Sequence, residues 1–514
     1  MMNKHISKIS IITALVAGIG LSSCTKKFDQ INTNPDKAST ASSAWLATNI
    51  LTSVTSKDIA TGTDFRQPFT LGKYICWSEL VSPYQYNKFD RVSFNRLLVL
   101  RDVDAMVKNT SNADQKNSYD GFGHFIRAWQ FFQTTMQVGD IPYTQAVQGA
   151  SGIIKAKYDT QKDVFIGILK ELDQADSLLA KGVDFGGDFI YSGSVDKWRR
   201  LANSFQLQVL LNLVKKTSDP DLDVINKFKA VAQRPLMRDY TDNFAVTYQA
   251  SAGYCYPWSS TAAQINSFVI YPMMSSTLLD LLKNTQDKRL FYFAEPSPAK
   301  TKAGLVSSDF NAYVGVEPSD DFTATISQKN AGNFCDVNKR YVEMYNAEPV
   351  GLLNYWDVQF LLAEATVRGW ISGTAAETYY ENGIKGHLSF LAKYAPASYA
   401  HNMAIDAAYI SSFPATVALT GTSENQINQI ITQKYIAGFF QNSDFNAWYE
   451  NRRTGYPVFK LNSTTNLNVP PTSFPLRWMY PTNELNYNSD NVNAAIQRQF
   501  KGNDDFTQTM WLLQ

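Results

Sequence analysis

The stretch QKDVFIGILKELDQADSLL, residues 161–179, sets Val164, Ile168, Leu172, Ala175 and Leu179 at steps of four, four, three and four. Only a helix brings such positions onto one stripe, and a stripe of this kind has to be covered by another element. KWRRLANSFQLQVLLNLVKK, residues 197–216, repeats the device with Leu201, Phe205, Val209 and Leu213, and closes on Lys215 and Lys216, cations that suit a helix C-terminus. A chain written this way folds as helices packed on helices.

Two further stretches read as relatives of each other. IRAWQFFQTTMQVGDIPYTQAV and FLLAEATVRGWISGTAAETYYENGI each place small residues on a first helix, break at glycine, and resume with Tyr and Ala on a second. Small residues let helices approach and tyrosine fills the groove between them, which is the code of a tetratricopeptide helix pair. Between about Tyr240 and Tyr345 the helical period fades and Gly, Pro, Ser, Asn and aromatic residues accumulate. The predicted fold class is mainly α, with tetratricopeptide-like helical pairs forming a scaffold that carries long loops and a few short β-strands or hairpins.

The N-terminus reads as an address. Lys4 and Lys8 precede an apolar run from Ile9 to Gly20, the length of a signal-peptide core and too short to span a bilayer. It ends in Leu21, Ser22, Ser23 and Cys24, which resemble the lipobox of bacterial lipoproteins. That resemblance implies cleavage before Cys24 and acylation of Cys24. Residues 1–23 are then a lipoprotein signal peptide, 24–43 a polar linker on the lipid anchor, and 44–514 the helical body, with a loop-rich binding region around 240–345. Several acyl chains on one residue make a durable tether, at about 0.8 kcal/mol per buried methylene.

Removing residues 1–23 takes away two of the 47 basic residues and none of the 46 acidic ones, leaving a formal charge near −1. Nucleic-acid binding calls for a basic face, so this balance speaks against such a partner. Three cysteines remain, Cys76, Cys255 and Cys335, enough for at most one disulfide or for three small buried hydrophobes.

CTKKFDQINTNP, QVGDIPYTQA, KWRRLANSFQLQVLL, DKRLFYF, FLLAEATVRGW, QKYIAGFFQNSDFNAWYENRRTGYP and LRWMYPTNELNYNSDN follow one another along almost the whole mature chain. In this order they resemble the SusD/RagB-like nutrient-binding outer-membrane lipoproteins of Bacteroidetes. The resemblance implies a single helical body with four tetratricopeptide-like units, displayed at the cell surface as the lid of a TonB-dependent SusC-like transporter. It also implies a non-catalytic role: capture of oligosaccharide, or of peptide in some relatives, and delivery to that transporter.

Aromatic residues make up 13% of the chain, more than a core requires. A pyranose presents a C–H face that stacks on a ring while its hydroxyls bond to amides and carboxylates, so rings on turns are the candidates. SPYQYNKFDR offers Tyr84, Tyr86 and Asn87; SAGYCYPWSS offers Tyr254, Tyr256 and Trp258, which in an extended segment would share one face. Asn266 and Tyr271 in INSFVIY and Tyr313 in FNAYVGV complete the expected ligand-binding set. The alternative for each ring is that it pins a loop to the helical body. Trp129, Trp198, Trp356 and Trp370 lie in helical stretches and read as core, and Glu450, Arg452 and Arg453 read as structural ion pairs and caps.

Catalytic signatures are absent: the chain has no G-x-S-x-G, no P-loop and no H-E-x-x-H. No histidine is spaced with another His or Cys as a zinc ligand would be, and DPDLD at 219–223 lacks the later positions of a calcium loop. No metal or cofactor is expected. A surface glycosidase would need two opposed carboxylates, and no spacing singles out a pair. A glycan-binding receptor is the leading reading, with a peptide-binding relative, a glycosidase and a structural scaffold as its rivals.

Overall fold

Thr160 opens the first stripe helix by accepting the Asp163 N–H, and Ser194 does the same for the second through Lys197. These caps satisfy backbone donors that have no partner inside the helix. The computed structural model describes residues 41–57, 64–251, 254–259, 269–441 and 445–514, of which Ser43–Gln514 form one compact unit. Residues 1–23, Cys24 and most of the linker lie outside the described residues.

The longer helices are α1 (Ser43–Thr55), α2 (Leu100–Lys108), α3 (Lys116–Val138), α4 (Gln161–Leu179), α5 (Val195–Asn212) and α6 (Val224–Val231), followed by α7 (Ser276–Asn284), α8 (Tyr355–Val367), α9 (Ala376–Tyr394), α10 (Ser423–Ala437), α11 (Asn446–Thr454) and α12 (Ser489–Phe500). Each of α1 to α5 packs on the next, most extensively α3 on α4; α5 then meets α8, which packs on α9 and α10. The fold is mainly α, a stack of helix pairs. Among the described residues no helix is long and apolar enough to cross a membrane.

The stripes face inward as their spacing requires. Val164, Ile168, Leu172, Ala175 and Leu179 are buried, as are Leu201, Phe205, Val209 and Leu213. Helix α5 is also buried on its other side, at Ala202, Ser204 and Leu207, because α4, α6 and α8 all pack against it. It stops at Asn212, so Lys215 and Lys216 fall in a following 3-10 turn and donate instead to the carbonyls of Leu513 (2.8 Å) and Gln514 (3.2 Å).

The FLLAEATVRGW stretch forms the expected pair, α8 and α9, turning at Gly369. Gly383 makes their close approach possible, since a Cβ there would lie 2.6 Å from the Phe360 ring. The IRAWQFF stretch departs from expectation. Gly139 at φ 97° ends α3, but residues 140–147 do not resume as helix. Instead Ile141 bridges to Asp159, and the Tyr143 ring lies against Phe131 and the bare backbone of Gly167, delaying the second helix of the pair to Gln161. Trp129, Trp198, Trp356 and Trp370 are core residues.

Among the described residues four short strands interrupt the helices: β1 (Ile75–Trp77), β2 (Phe244–Val246), β3 (Pro272–Met274) and β4 (Val350–Leu353). They form two antiparallel pairs, β1 with β3 and β2 with β4. In the first pair Trp77 stands opposite Pro272.

Buried charge ties α8, α10 and α11 together. Arg453 forks onto Glu364 through two bonds of 2.6 and 2.7 Å and also bonds Glu450, which accepts from Lys434 at 2.6 Å; Arg368 adds a further bond to Glu364. Burial alone would raise both carboxyls. Arg453 overcomes it at each, with Arg368 helping at Glu364 and Lys434 at Glu450, so Glu364 titrates below the usual range and Glu450 is held down to about 2. The neighbouring Arg452 bonds the carbonyls of Leu476 and Met136 and lies over Trp448 and Tyr449.

Carboxyls depressed in this way stabilise the fold above their unfolded pKa and lose that contribution as pH falls through the folded value, here from about 4.5 toward 2 for Glu450. Glu364→Gln leaves Arg453 short of a buried partner and is expected to cost about 3–5 kcal/mol in denaturant unfolding. Arg453→Lys should recover little, because an ammonium cannot fork.

Candidate functional site

The site is built outward from β1 and β3. Because Trp77 pairs with Pro272, the chain leaving β1 and the chain entering β3 emerge side by side. Ser78 fixes the exit by donating both N–H (3.1 Å) and hydroxyl (2.8 Å) to the Tyr271 carbonyl. Lys329 Nζ bonds Ser78 Oγ at 2.6 Å and the Ile270 carbonyl, and lies over the Tyr271 ring. Burial lowers the Lys329 pKa, opposed by Asp336, whose own carboxyl is pushed up to about 6 by burial.

On this clamp the Trp77 and Tyr271 rings pack with centroids 5.7 Å apart, and Arg66 covers Trp77. Beyond them Leu80, Val81, Val269 and Ile270 are exposed. Trp77 Nε1 donates to Glu79, which is also exposed.

A second lip carries Tyr254, which is 69% exposed, and Tyr345, also exposed. It is anchored by the Tyr256 N–H donating to the Tyr345 carbonyl at 2.6 Å. The two lips share a floor of buried rings: Trp77 to Phe65 (6.2 Å), Phe65 to Phe69 (5.0 Å), Phe69 to Trp258 (6.3 Å) and Trp258 to Tyr256 (5.2 Å). Tyr256 OH, Trp258 Nε1 and Ser259 Oγ have no hydrogen-bond partner within this floor among the described residues.

The rings expected to stand free divide sharply. Tyr254 does stand free and Tyr271 is half-buried, while Asn266 lies outside the described residues. Tyr256 and Trp258 are corrected to core: the segment is not extended but turns, with the Ser259 N–H closing on the Tyr256 carbonyl at 3.1 Å, so period two never applies. Burying each ring gains about 1.5–3 kcal/mol, which the turn makes available.

Tyr84, Tyr86 and Asn87 are also corrected to buried positions. Tyr84 stacks on Phe89 and accepts from Trp478 Nε1, and Tyr86 OH donates to the Asp320 carbonyl at 3.0 Å. Asn87, at φ 63°, accepts from the buried Lys73, which also donates to the Gln85 carbonyl. Tyr313 is buried against Phe291 and donates to the Ser307 carbonyl. Sequence reading missed Trp77, Leu80, Val81, Ile270 and Tyr345; the apolar pair before Ser82-Pro83 and the apolar residue before Tyr271 were the available signals.

No group of three or more His, Cys, Asp or Glu among the described residues could hold a metal ion. Asp219 and Asp221 are engaged by Lys162 at 2.9 and 2.7 Å. Cys76, Cys255 and Cys335 are free thiols, the first and last fully buried, and burial pushes the Cys335 thiol up to about 12.

Helix pairs that hold up a ring-floored rim define the class of the fold, a mainly helical scaffold that carries its exposed rings on loops. The chain belongs to the SusD-like family, described as starch-binding and associating with the outer membrane, whose model matches residues 35–481. It is similar to a SusD homologue of Bacteroides fragilis, at 38% identity over 92% of this chain and 100% of that one, with a TM-score of 0.88. A Bacteroides vulgatus outer-membrane protein assigned to nutrient binding shares 32% identity over 92% and 100% of the two chains, with a TM-score of 0.83. A second B. fragilis SusD homologue shares 33% over 92% and 99%, with a TM-score of 0.81. No curated protein matches the chain.

Truncating a floor ring and a lip ring should have separable effects. Trp258→Ala is expected to cost about 3–5 kcal/mol in denaturant unfolding, whereas Tyr254→Ala should leave stability unchanged within about 0.5 kcal/mol. The Lys73 ammonium offers a pH test. Burial pushes its pKa from 10.5 down to about 7, so between those values the unfolded chain binds the extra proton and stability rises with pH. The melting temperature of the protein relative to Lys73→Met should therefore climb from pH 7 to pH 10; a flat difference would show that Lys73 stays charged in the fold.

Proposed function

We propose that this protein is a non-catalytic cell-surface receptor that captures oligosaccharide at the rim and delivers it to a TonB-dependent SusC-like outer-membrane transporter. In this reading Cys24 carries the lipid that tethers the body to the outer membrane. One observation carries the proposal: Tyr254 and Tyr345 stand in solvent at one end of a run of packed buried rings, whose other end, Trp77, packs on Tyr271 next to the exposed Ile270, Leu80 and Val81. Exposed ring faces accept sugar C–H faces, and Glu79 and Lys329 at the same edge can bond hydroxyls.

Capture followed by release requires modest affinity. Micromolar to millimolar binding, roughly −8 to −4 kcal/mol, lets a ligand move on while polymers gain by avidity. The exposed aliphatic residues Leu80, Val81, Val269 and Ile270 favour a second reading, a peptide-binding member of the family, because aliphatic side chains whose polar neighbours Glu79 and Lys329 are already bonded within the protein suit an apolar peptide better than a sugar.

A glycan array run beside a peptide array separates the two. The glycan reading predicts array hits confined to carbohydrates, affinity lowered at least about tenfold by Tyr254→Ala combined with Tyr345→Ala, and no product after long incubation. Peptide hits alone would establish the second reading, and released product would establish a glycosidase.

A further inference from the structure

Helices α7 and α10 face each other across a trough that shares no residue with the rim. It comprises two cavities. One, of about 380 Å³, is lined by Thr277, Asp280, Asn284, Glu317 and Lys460 among others. The second, of about 400 Å³, lies between Thr285, Thr416, Gln429 and Gln433. Asn428 and Thr432 of α10 line both, so the two run together along the helix. Each volume is within the 300–1,000 Å³ range usual for small-ligand sites.

The lining identifies what fits. The side chains of Asp280, Asn284 and Lys460 are exposed and make no hydrogen bond or ion pair among the described residues, so their bonding capacity is open to a guest. Between these polar groups lie aliphatic surfaces from Leu281, Val417 and Val458, the last 73% exposed. Donors and acceptors set among aliphatic patches match a chain that alternates hydroxyls with C–H faces. A peptide strand is served poorly: α7 and α10 have their backbone groups bonded within the helices, and in the second cavity the facing segment 415–420 spends the N–H groups of Leu419 and Thr420 and the carbonyls of Val417 and Ala418 on side chains, leaving no sheet edge to extend. Asp280 and Glu317 facing Lys460 give charge of both signs, which selects neither a polyanion nor a polycation.

We propose that this trough is a second carbohydrate site, for a linear neutral oligosaccharide, and that with the rim it holds one polysaccharide at two points. The proposal rests on the reading of the protein as a glycan receptor, but it concerns a different surface. Two weak sites on one rigid body turn the second contact into an intramolecular one, gaining avidity without tight binding at either.

Equilibrium titration with maltohexaose, xylohexaose and chitohexaose, each taken into the millimolar range, tests it. At least one of them should occupy two sites per chain. Asn428→Trp, which plugs the point common to both cavities, should halve the number of sites and leave the Tyr254-dependent site unchanged. Asn284→Trp on the facing wall should do the same, and unchanged melting of either variant excludes misfolding as the cause. A single site that is lost in Tyr254→Ala and indifferent to both tryptophans would overturn the trough and leave the rim standing. A single site lost in the tryptophan variants alone would support the trough and overturn the rim. Absence of binding by all three sugars would overturn both.

Discussion

Tyr74 and Tyr435 stack face to face, with centroids 4.4 Å apart and planes within 5°, and each hydroxyl is spent on the other's backbone neighbourhood. Tyr74 OH donates to the Tyr435 carbonyl at 2.8 Å, while Tyr435 OH lies 2.8 and 2.9 Å from the carbonyls of Gly72 and Lys73. The contact joins positions 361 residues apart, the entry to β1 and the last turn of α10. Everything at the rim is referred to it. β1 sets the register of β3, that register places Trp77 beside Tyr271, and Ser78 and Lys329 then lock the lip. The next residue back along α10, Lys434, points into the buried charge network, so one helical turn holds the ring stack and the ion pairs at once.

This arrangement ties the described part of the rim to the core. A binding loop whose rings are shared with the core gives up conformational freedom at folding, so less remains to be lost when a ligand arrives. Lys73 illustrates the cost. Its ammonium is buried among neutral acceptors, the carbonyl of Gln85 and the amide oxygen of Asn87, in order to hold the turn from Ser82 to Lys88 against the body. The hydrophobic gain from Tyr84, Tyr86 and Phe89 offsets that penalty.

Helices were legible in the sequence because their signal is local. The spacing of Val164, Ile168, Leu172, Ala175 and Leu179 cannot be read as anything else, and the caps at Thr160 and Ser194 stand just ahead of the stripes they open. The α8–α9 pair could be read for the same reason. The false restart after Gly139 shows the limit: a Tyr that packs on Gly167 looks, in one dimension, like a Tyr that begins a helix. The site was less legible. Whether Tyr254, Tyr256 and Trp258 share a face depends on a turn closed by one backbone bond, and composition does not distinguish that turn from a strand. Tyr345 joins the lip only because Tyr256 bonds its carbonyl from about ninety positions earlier in the chain, a contact no window along the sequence contains. The bulk of the ring supply went to the floor; the proposed ligand surface is what that floor leaves uncovered.

Hydrogen exchange followed by mass spectrometry, with and without a saturating oligosaccharide, tests the central claim most directly. The account predicts protection concentrated in peptides covering residues 77–82, 254–256, 269–272 and 344–346, with the α3–α5 stack unchanged. Protection confined to that stack, with the rim peptides exchanging as fast as before, would contradict it.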